Sequence, residues 1–117
     1  PFTTTKVAGM VVMDPGPLLA AIVEDVALGV DQGEVAGAFH NTVVEMLAQA
    51  AAQAAEEHRL SCVALSGGTF QNRLLLEGLC RRLEDQGLVP LWQRAVPPND
   101  GGLALGQAVV ASANLSG

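Results

Sequence analysis

The sequence predicts an α/β fold built around a parallel strand–helix–strand unit with flanking helices. The apolar run "LSCVALSG" (60–67) is short and ends at glycine, as is typical of a buried parallel strand, here placed at 61–66. The segment 72–87 has an amphipathic helical period, and "LVPLWQRA" (88–95) predicts a second strand at 88–93. Because such crossovers are right-handed, the two strands should lie side by side and parallel.

The remaining elements are predicted from their own local patterns. A β-branched run predicts a strand over 6–13, and "DPGP" (14–17) predicts a turn that opens a helix over 17–29. Apolar residues recur every three or four positions over 34–57, which predicts the longest helix of the chain. A final helix is predicted over 101–115.

The helical periods also predict which side chains face the core. The inward residues predicted for the long helix are Val35, Phe39, Val43, Met46, Ala50 and Ala54. Those predicted for the helix over 72–87 are Leu75, Leu76, Leu79 and Leu83, and those predicted for the final helix are Leu103, Gly106, Val109 and Val110. On the outer face, Glu77 and Arg81 have the i, i+4 spacing and order that favour an ion pair.

Two loops rich in glycine and asparagine follow the predicted strands, "SGGTFQN" (66–72) and "RAVPPNDGG" (94–102). Ligands of parallel sheets bind at the carboxyl ends of the strands, so both loops should lie where a ligand would sit. Each also precedes a helix N-terminus, where backbone N–H groups and the helix dipole favour anions. Neither loop has the spacing of a Walker A loop, a GxGxxG turn or a GxSxG nucleophile elbow. The residues alone therefore leave open a phosphate or nucleotide site and plain turn chemistry.

The same loop residues also have purely structural explanations. Gly67 and Gly68 can permit a turn with positive φ. Asn72 and Asp100 can each cap the helix that follows, because both residue types are preferred N-caps. The prolines of "VPPND" (96–100) predict a stiff loop that would hold Asp100 in place.

Composition restricts the class of function. Lys and Arg number 6 against 12 Asp and Glu, and the resulting net charge of −6 argues against a nucleic-acid surface. No apolar run approaches the roughly 20 residues of a membrane span, and the start "PFTTTKVAGM" lacks a signal-peptide pattern. Cys62 and Cys80 lie in no CxxC motif, which favours two reduced thiols in or near the core of a cytoplasmic protein. Because the first residue is Pro1 rather than Met, we expect a piece of a longer chain.

Three segments carry a resemblance to a known family: "FHNTVVEML", "VALSGGTFQNRLLLEGLCRRLEDQGL" and "VPPNDGGLALGQAVVA". Together they resemble the C-terminal end of the hydrogenase maturation carbamoyltransferases, and the similarity runs over most of 17–113. Similar lobes occur in the tRNA threonylcarbamoyl-adenosine transferases and in O-carbamoyltransferases. The resemblance implies that residues 1–117 form a single domain, the second lobe of an actin-like (ribonuclease-H-like) two-lobe domain of the ATPase type. The first lobe and the upstream domains would be absent from this chain.

The resemblance also implies roles for particular residues. Gly67 and Gly68 would lie against the nucleotide phosphates, and Asn72 would reach the nucleoside. Asp100 would be a ligand of a catalytic divalent metal, Zn or Fe. The family's other metal ligands are two histidines of an HxxxH motif in the first lobe, and this chain has no HxxxH. His40 follows Phe39 off the polar face of the long helix, which favours a core-edge histidine held by one hydrogen bond over an active-site histidine facing the carbamoyl group.

The implied enzyme uses ATP and carbamoyl phosphate to form carbamoyl-adenylate and transfers the carbamoyl group to the C-terminal cysteine thiol of a hydrogenase maturation partner, for synthesis of the cyanide ligands of [NiFe]-hydrogenase. No residue of this lobe is the nucleophile, since that thiol belongs to the partner. The isolated chain should therefore be inactive. A non-catalytic packing module and a lobe of a sugar- or acetate-kinase-like enzyme stay open as alternatives. Without its first lobe the chain should leave an apolar face uncovered and self-associate through it.

Overall fold

The structure, a computed structural model, describes residues 2–95 and 99–117 as a mixed α/β unit. The strands are β1 (Thr3–Val7), β2 (Met10–Asp14), β3 (Cys62–Leu65) and β4 (Val89–Trp92). The helices are α1 (Gly16–Ala27), α2 (Gln32–His58), α3 (Arg73–Asp85) and α4 (Leu103–Ser116). Short 3₁₀ turns at Gly68–Gln71 and Asp100–Gly102 precede α3 and α4.

The N-terminal segment is a hairpin, so the prediction of one strand over 6–13 is wrong. β1 pairs antiparallel with β2, and the turn between them is at Ala8 and Gly9, with φ of 50° and 80°. A two-residue turn of this kind needs positive φ at both positions, and alanine gives no signal for that conformation. The ammonium of Lys6 joins the hairpin to the end of α2 by a 2.8 Å contact with Glu57, and this hydrogen bond lowers the pKa of the Glu57 carboxyl.

The predicted helices over 17–29 and 34–57 are confirmed as α1 and α2, but the predicted inward face of α2 is wrong. The buried residues of α2 are Val44, Ala48 and Ala55, which lie about one position round the helix from the predicted set. Val44 packs against Gly78 of α3, and Ala48 belongs to the core cluster with Leu79 and Leu83. Small side chains let two helix backbones approach closely, and that close packing decides which face is buried.

The central prediction of a parallel strand–helix–strand unit is confirmed. β3 and β4 pair in parallel, with Cys62 opposite Val89 and Leu65 opposite Trp92, and α3 connects them. Together β3 and β4 form a two-stranded sheet, so the tolerance of Pro90 in β4 fits its position on an edge strand.

Helix α3 has the caps and the inward face that the sequence predicts. The side chain of Asn72 accepts a hydrogen bond from the Leu75 N–H at its start, and Gly87, with φ of 79°, follows its end. The buried residues of α3 are Leu75, Leu79 and Leu83. On its surface the ion pair is Arg73–Glu77 at 2.6 Å rather than the predicted pair of Glu77 with Arg81.

The core lies between α2, α3 and one face of the β3–β4 sheet. Its buried residues are Ala48, Leu65, Leu79 and Leu83. Cys80 is half-buried against this cluster, and burial, followed by the nearby charge of Glu84, raises the pKa of its thiol. Cys62 is exposed instead, because alternate residues of β3 point to the opposite face of the sheet, so its predicted place in or near the core is wrong.

Much apolar surface is uncovered, as predicted. Helix α4 forms over the predicted segment, yet none of its residues is buried. Leu103, Val109 and Val110, three members of its predicted packing side, are 58, 59 and 60 % exposed. Within the described residues, no helix combines the length and the apolar character that crossing a membrane requires.

Candidate functional site

The two loops predicted to meet at the carboxyl ends of β3 and β4 do meet there. Parallel strands end at the same edge of a sheet, so the chain leaves Leu65 and Trp92 side by side. The hydroxyl of Ser66 donates a hydrogen bond of 3.3 Å to Oε1 of Gln93, which joins the first residue after each strand. Neither Ser66 nor Gln93 is predicted as a site residue from the sequence. Their only signal is position, since each is the last residue of a predicted strand.

The first loop turns sharply at its glycines. Gly67 has φ of 111° and ψ of 159°, a conformation essentially restricted to glycine. Gly68 then begins the 3₁₀ turn Gly68–Gln71, in which the Phe70 N–H donates to the Gly67 carbonyl at 3.1 Å. The glycine pair therefore leads through this short turn to α3, which begins at Arg73, so the predicted position of the loop before a helix N-terminus is confirmed.

The second loop also passes through a 3₁₀ turn into a helix, but its capping asparagine precedes the turn, whereas Asn72 follows the turn of the first loop. Oδ1 of Asn99 accepts a 2.9 Å hydrogen bond from the Gly101 N–H, so Asn99 caps the turn Asp100–Gly102. Capping by Asp100, one of the two predicted roles of that residue, is therefore wrong. Asparagine is as good an N-cap as aspartate, and that preference could have identified Asn99 from the sequence. The stiff loop predicted over 96–100 lies partly outside the described residues, since 96–98 are not among them.

A cleft of about 760 Å³ lies between the two loops and α4. Its lining contains three of the four predicted ligand residues, Gly67, Gly68 and Asp100, together with Ser66 and Gln93. Asn99, Gly106 and Val110 are among the other lining residues. Its mixture of backbone, amide, carboxylate and apolar groups is typical of a small-molecule site. A second cleft, of about 640 Å³, lies beside α3 near Trp92 and contains none of the predicted ligand residues.

Asn72, the fourth predicted residue, does not line this cleft. Its amide Nδ2 lies 3.0 Å from Nε2 of His40, and Nδ1 of His40 lies 2.8 Å from the Ala36 carbonyl oxygen. His40 thus has two hydrogen bonds rather than the single one expected of it. The structure therefore brings Gly67, Gly68 and Asp100 to one cleft and places Asn72 with His40 at the contact of α2 and α3.

The described residues do not form a metal site by themselves. Nowhere in 2–95 and 99–117 do three histidine, cysteine, aspartate or glutamate side chains group so that they could hold an ion. A catalytic zinc site has three protein ligands and one open position. Asp100 could supply one such ligand, and the others would have to come from outside these residues.

Comparison with known proteins identifies the family. Residues 1–107 match the sequence profile of the family described as "Carbamoyltransferase, Kae1-like Domain, second subdomain". The chain belongs to this family. Among curated carbamoyltransferases, one named carbamoyltransferase HypF from Rhodobacter capsulatus is 42 % identical over 103 residues, which cover 88 % of this chain and 13 % of that protein. Another of that name, from Rhizobium leguminosarum bv. viciae, is 44 % identical over 86 residues, covering 69 % of this chain and 11 % of that protein.

Solved structures of carbamoyltransferases share the fold. The chain is similar to a crystal structure of full-length HypF in the phosphate- and nucleotide-bound form, with a TM-score of 0.92 and 38 % identity. That match covers all of this chain and 15 % of the solved one. A crystal structure of T. kodakarensis HypF is similar over 97 % of this chain and 15 % of that one, with a TM-score of 0.77 and 25 % identity. The chain thus spans only a small part, 11 to 15 %, of these carbamoyltransferases.

Proposed function

We propose that this chain is the nucleotide-binding lobe of a carbamoyltransferase that carries a carbamoyl group on an adenylate. The observation that carries the proposal is the cleft at the ends of β3 and β4, which Gly67, Gly68 and Asp100 line together. The fold around the cleft is similar to that of a HypF solved with phosphate and nucleotide bound, which supports a nucleotide as the ligand. The lobe would pair with a first lobe in an actin-like domain.

In the proposed site the first loop binds the nucleotide through its main chain. Gly67 and Gly68 present backbone without a side chain, so phosphate oxygens can approach their N–H groups closely. Such a site needs no lysine, which fits a lobe with a net charge of −6. Asn72 would reach the nucleoside from the start of α3, and Asp100 would provide one ligand of a divalent metal, Zn or Fe.

The proposed reaction begins with ATP, carbamoyl phosphate and water, which yield carbamoyl-adenylate, phosphate and pyrophosphate. The C-terminal cysteine thiolate of a hydrogenase maturation partner then attacks the carbamoyl carbon. The bond from that carbon to the adenylate oxygen breaks, and AMP leaves. The carbamoylated cysteine would be the precursor of a cyanide ligand of [NiFe]-hydrogenase. In this scheme the lobe binds and orients the adenylate and supplies no nucleophile, and the full-length enzyme would work in the cytoplasm.

The nucleotide product tests the proposal. The full-length protein is incubated with ATP, carbamoyl phosphate and an acceptor protein ending in cysteine, and the nucleotides are separated by chromatography. Adenylate chemistry gives AMP and pyrophosphate, together with a carbamoyl group on the acceptor detected by mass spectrometry. ADP as the nucleotide product would instead indicate a kinase-like enzyme. An absence of any turnover, with the protein folded, would favour a packing module.

A further inference from the structure

A chain of hydrogen bonds joins α2 to the first turn of α3. Nδ1 of His40 contacts the carbonyl oxygen of Ala36 at 2.8 Å, and Nε2 of His40 contacts Nδ2 of Asn72 at 3.0 Å. Oδ1 of Asn72 in turn accepts from the Leu75 N–H at 3.2 Å. His40 and Asn72 are 32 positions apart in the sequence, so only the packing of the two helices brings them together.

The groups at the two ends of this series of hydrogen bonds determine which atom donates and which accepts in each of them. The Leu75 N–H can only donate, so the Asn72 atom facing it is the oxygen, and the atom facing His40 is the NH₂ group. The Ala36 carbonyl can only accept, so Nδ1 of His40 carries the hydrogen. Nε2 is then left as the acceptor of the Asn72 amide. All of these hydrogen bonds are satisfied by a neutral His40 in the Nδ1–H form.

We propose that His40 is a positioning residue that fixes the side-chain amide of Asn72 for ligand binding. An asparagine amide has two N–H donors and two oxygen lone pairs. One donor is used by His40 and one lone pair by Leu75. One N–H and one oxygen lone pair of Asn72 therefore remain free of these contacts, and the residue is exposed. The plane of the amide is held on one side by His40 and on the other by Leu75. That neutral donor–acceptor pair suits a nucleoside edge, and this part of the inference rests on the proposed function.

The same contacts argue against His40 as a base toward the carbamoyl group. Both of its ring nitrogens are already occupied, one as a donor and one as an acceptor. A histidine that removed a substrate proton would need Nε2 free to accept it. His40 is therefore placed to act through Asn72.

The helices that hold this pair are closely packed. One turn beyond His40, Val44 packs against Gly78 so closely that a β-carbon on Gly78 would lie 3.1 Å from Cγ2 of Val44. Next to it, Arg82 and Glu45 form an ion pair at 2.7 Å. The contacts advance together along both helices, so the two helices run in the same direction here. The Asn72 amide is thus oriented by packed helices before any ligand binds, which lowers the cost of ordering it.

Nuclear magnetic resonance tests the hydrogen bond directly in the 117-residue chain. Side-chain ¹⁵N spectra should show His40 in the Nδ1–H form, whereas His58, exposed at the end of α2, serves as the reference for an unconstrained ring. Asn72→Ala should shift the His40 Nε2 resonance and leave His58 unchanged. A His40 ring in the Nε2–H form, or one unaffected by Asn72→Ala, overturns the proposal.

Calorimetric titration of the full-length protein with ATP tests the consequence. His40→Leu removes the acceptor and should weaken ATP binding about five- to tenfold, the loss expected for one hydrogen bond. His40→Gln restores an acceptor, through Oε1, and should bind ATP about as tightly as the wild type. His40→Leu combined with Asn72→Ala should bind no more weakly than Asn72→Ala alone, since the two residues act as a unit.

The outcomes separate this proposal from the proposed function. If His40→Leu binds ATP like the wild type while Asn72→Ala does not, the positioning role is overturned. It is equally overturned if His40→Gln is as weak as His40→Leu although both variants melt at the wild-type temperature. A wild-type protein that binds no ATP would overturn the nucleotide site, while the nitrogen spectra would still decide the hydrogen bond.

Discussion

A β-carbon built on Gly68 would lie 3.8 Å from Cβ of Asn99, so the two loops of the cleft approach each other to ordinary van der Waals distance. Gly68 lies outside the left-handed region of φ, whereas Gly67 lies inside it. A side chain introduced at one of these two adjacent glycines would therefore have a different effect from one introduced at the other. At Gly68 it would enter the cleft without straining the backbone, and at Gly67 it would strain the backbone itself.

The first prediction compares alanine at these two positions. Gly68→Ala should leave the free energy of unfolding nearly unchanged, yet weaken ATP binding to the full-length protein because its methyl group blocks approach to the backbone. Gly67→Ala should destabilise the fold by about 1–3 kcal/mol, the cost of a non-glycine residue in a disfavoured conformation. Urea unfolding and calorimetric titration measure the two effects. Wild-type ATP affinity in Gly68→Ala would leave the glycines as turn residues only.

The second prediction separates the metal role of Asp100 from helix capping. Asp100→Asn in the full-length protein should keep the wild-type stability, because Asn99 provides the cap, and should lose bound metal and carbamoyl transfer together. Mass-spectrometric metal analysis and the transfer assay measure the two losses. If Asp100→Asn kept both metal and activity, Asp100 would not be a metal ligand.

Asn99→Ala is the matched control for that experiment. It removes the hydrogen bond that Asn99 accepts from Gly101, and a lost N-cap costs about 0.5–2 kcal/mol. We expect the effect to be local, seen as faster amide exchange in the first turn of α4, because none of the residues of α4 is buried.

The third prediction concerns the close contact of α2 and α3. Gly37→Ala, on α2, meets nothing within 4 Å and should raise the free energy of unfolding by up to about 1 kcal/mol, the difference in helix propensity. Gly78→Ala gives the same gain in helix propensity, but its methyl group crowds Val44. It should therefore stabilise the protein less than Gly37→Ala does, or destabilise it. In a background that carries Val44→Ala, where the crowding is removed, Gly78→Ala should stabilise the protein as much as Gly37→Ala does. Equal stabilisation by Gly37→Ala and Gly78→Ala in urea unfolding would mean that the helices can separate at no cost.

The fourth prediction concerns the two thiols. Burial raises the pKa of Cys80, so a smaller fraction of it is the reactive thiolate at a given pH, and its alkylation should reach its maximum rate only above the ordinary pH range of a cysteine. Cys62 is exposed and should react with iodoacetamide first. Peptide mapping after timed alkylation at neutral and alkaline pH follows both thiols in one sample. Faster labelling of Cys80 than of Cys62 in the folded chain would contradict the packing described for α3.

The fifth prediction concerns association of the 117-residue chain. The apolar side chains exposed on α4 should drive self-association, since an uncovered apolar face is costly in water. Sedimentation equilibrium should give an average mass that rises with protein concentration and does not fall at high salt. A monomeric mass at every protein concentration would show that the exposed apolar side chains of α4 do not form a surface through which the chain associates.

Local patterns in the sequence determined the elements that carry the site. The run 60–67, the helical period over 72–87 and the following strand specify the parallel unit, because periodicity and propensity act over a few residues. The helix cap at Asn72 and the helix end at Gly87 are also predicted from local sequence, since each depends on the chemistry of one residue and its neighbours. From these elements follows the meeting of the two loops at one edge of the sheet.

Only the tertiary structure decided which faces and which partners those elements use. The sequence marks α2 as amphipathic, but it is the close approach of α3 at Gly78 that buries Val44 and Ala48 in place of the predicted Val43 and Met46. The pairing of His40 with Asn72 likewise depends on two helices packing in register. Local patterns fix how a segment folds, whereas burial and long-range hydrogen bonds depend on which surfaces fit at close range, and that fit is a property of two segments together.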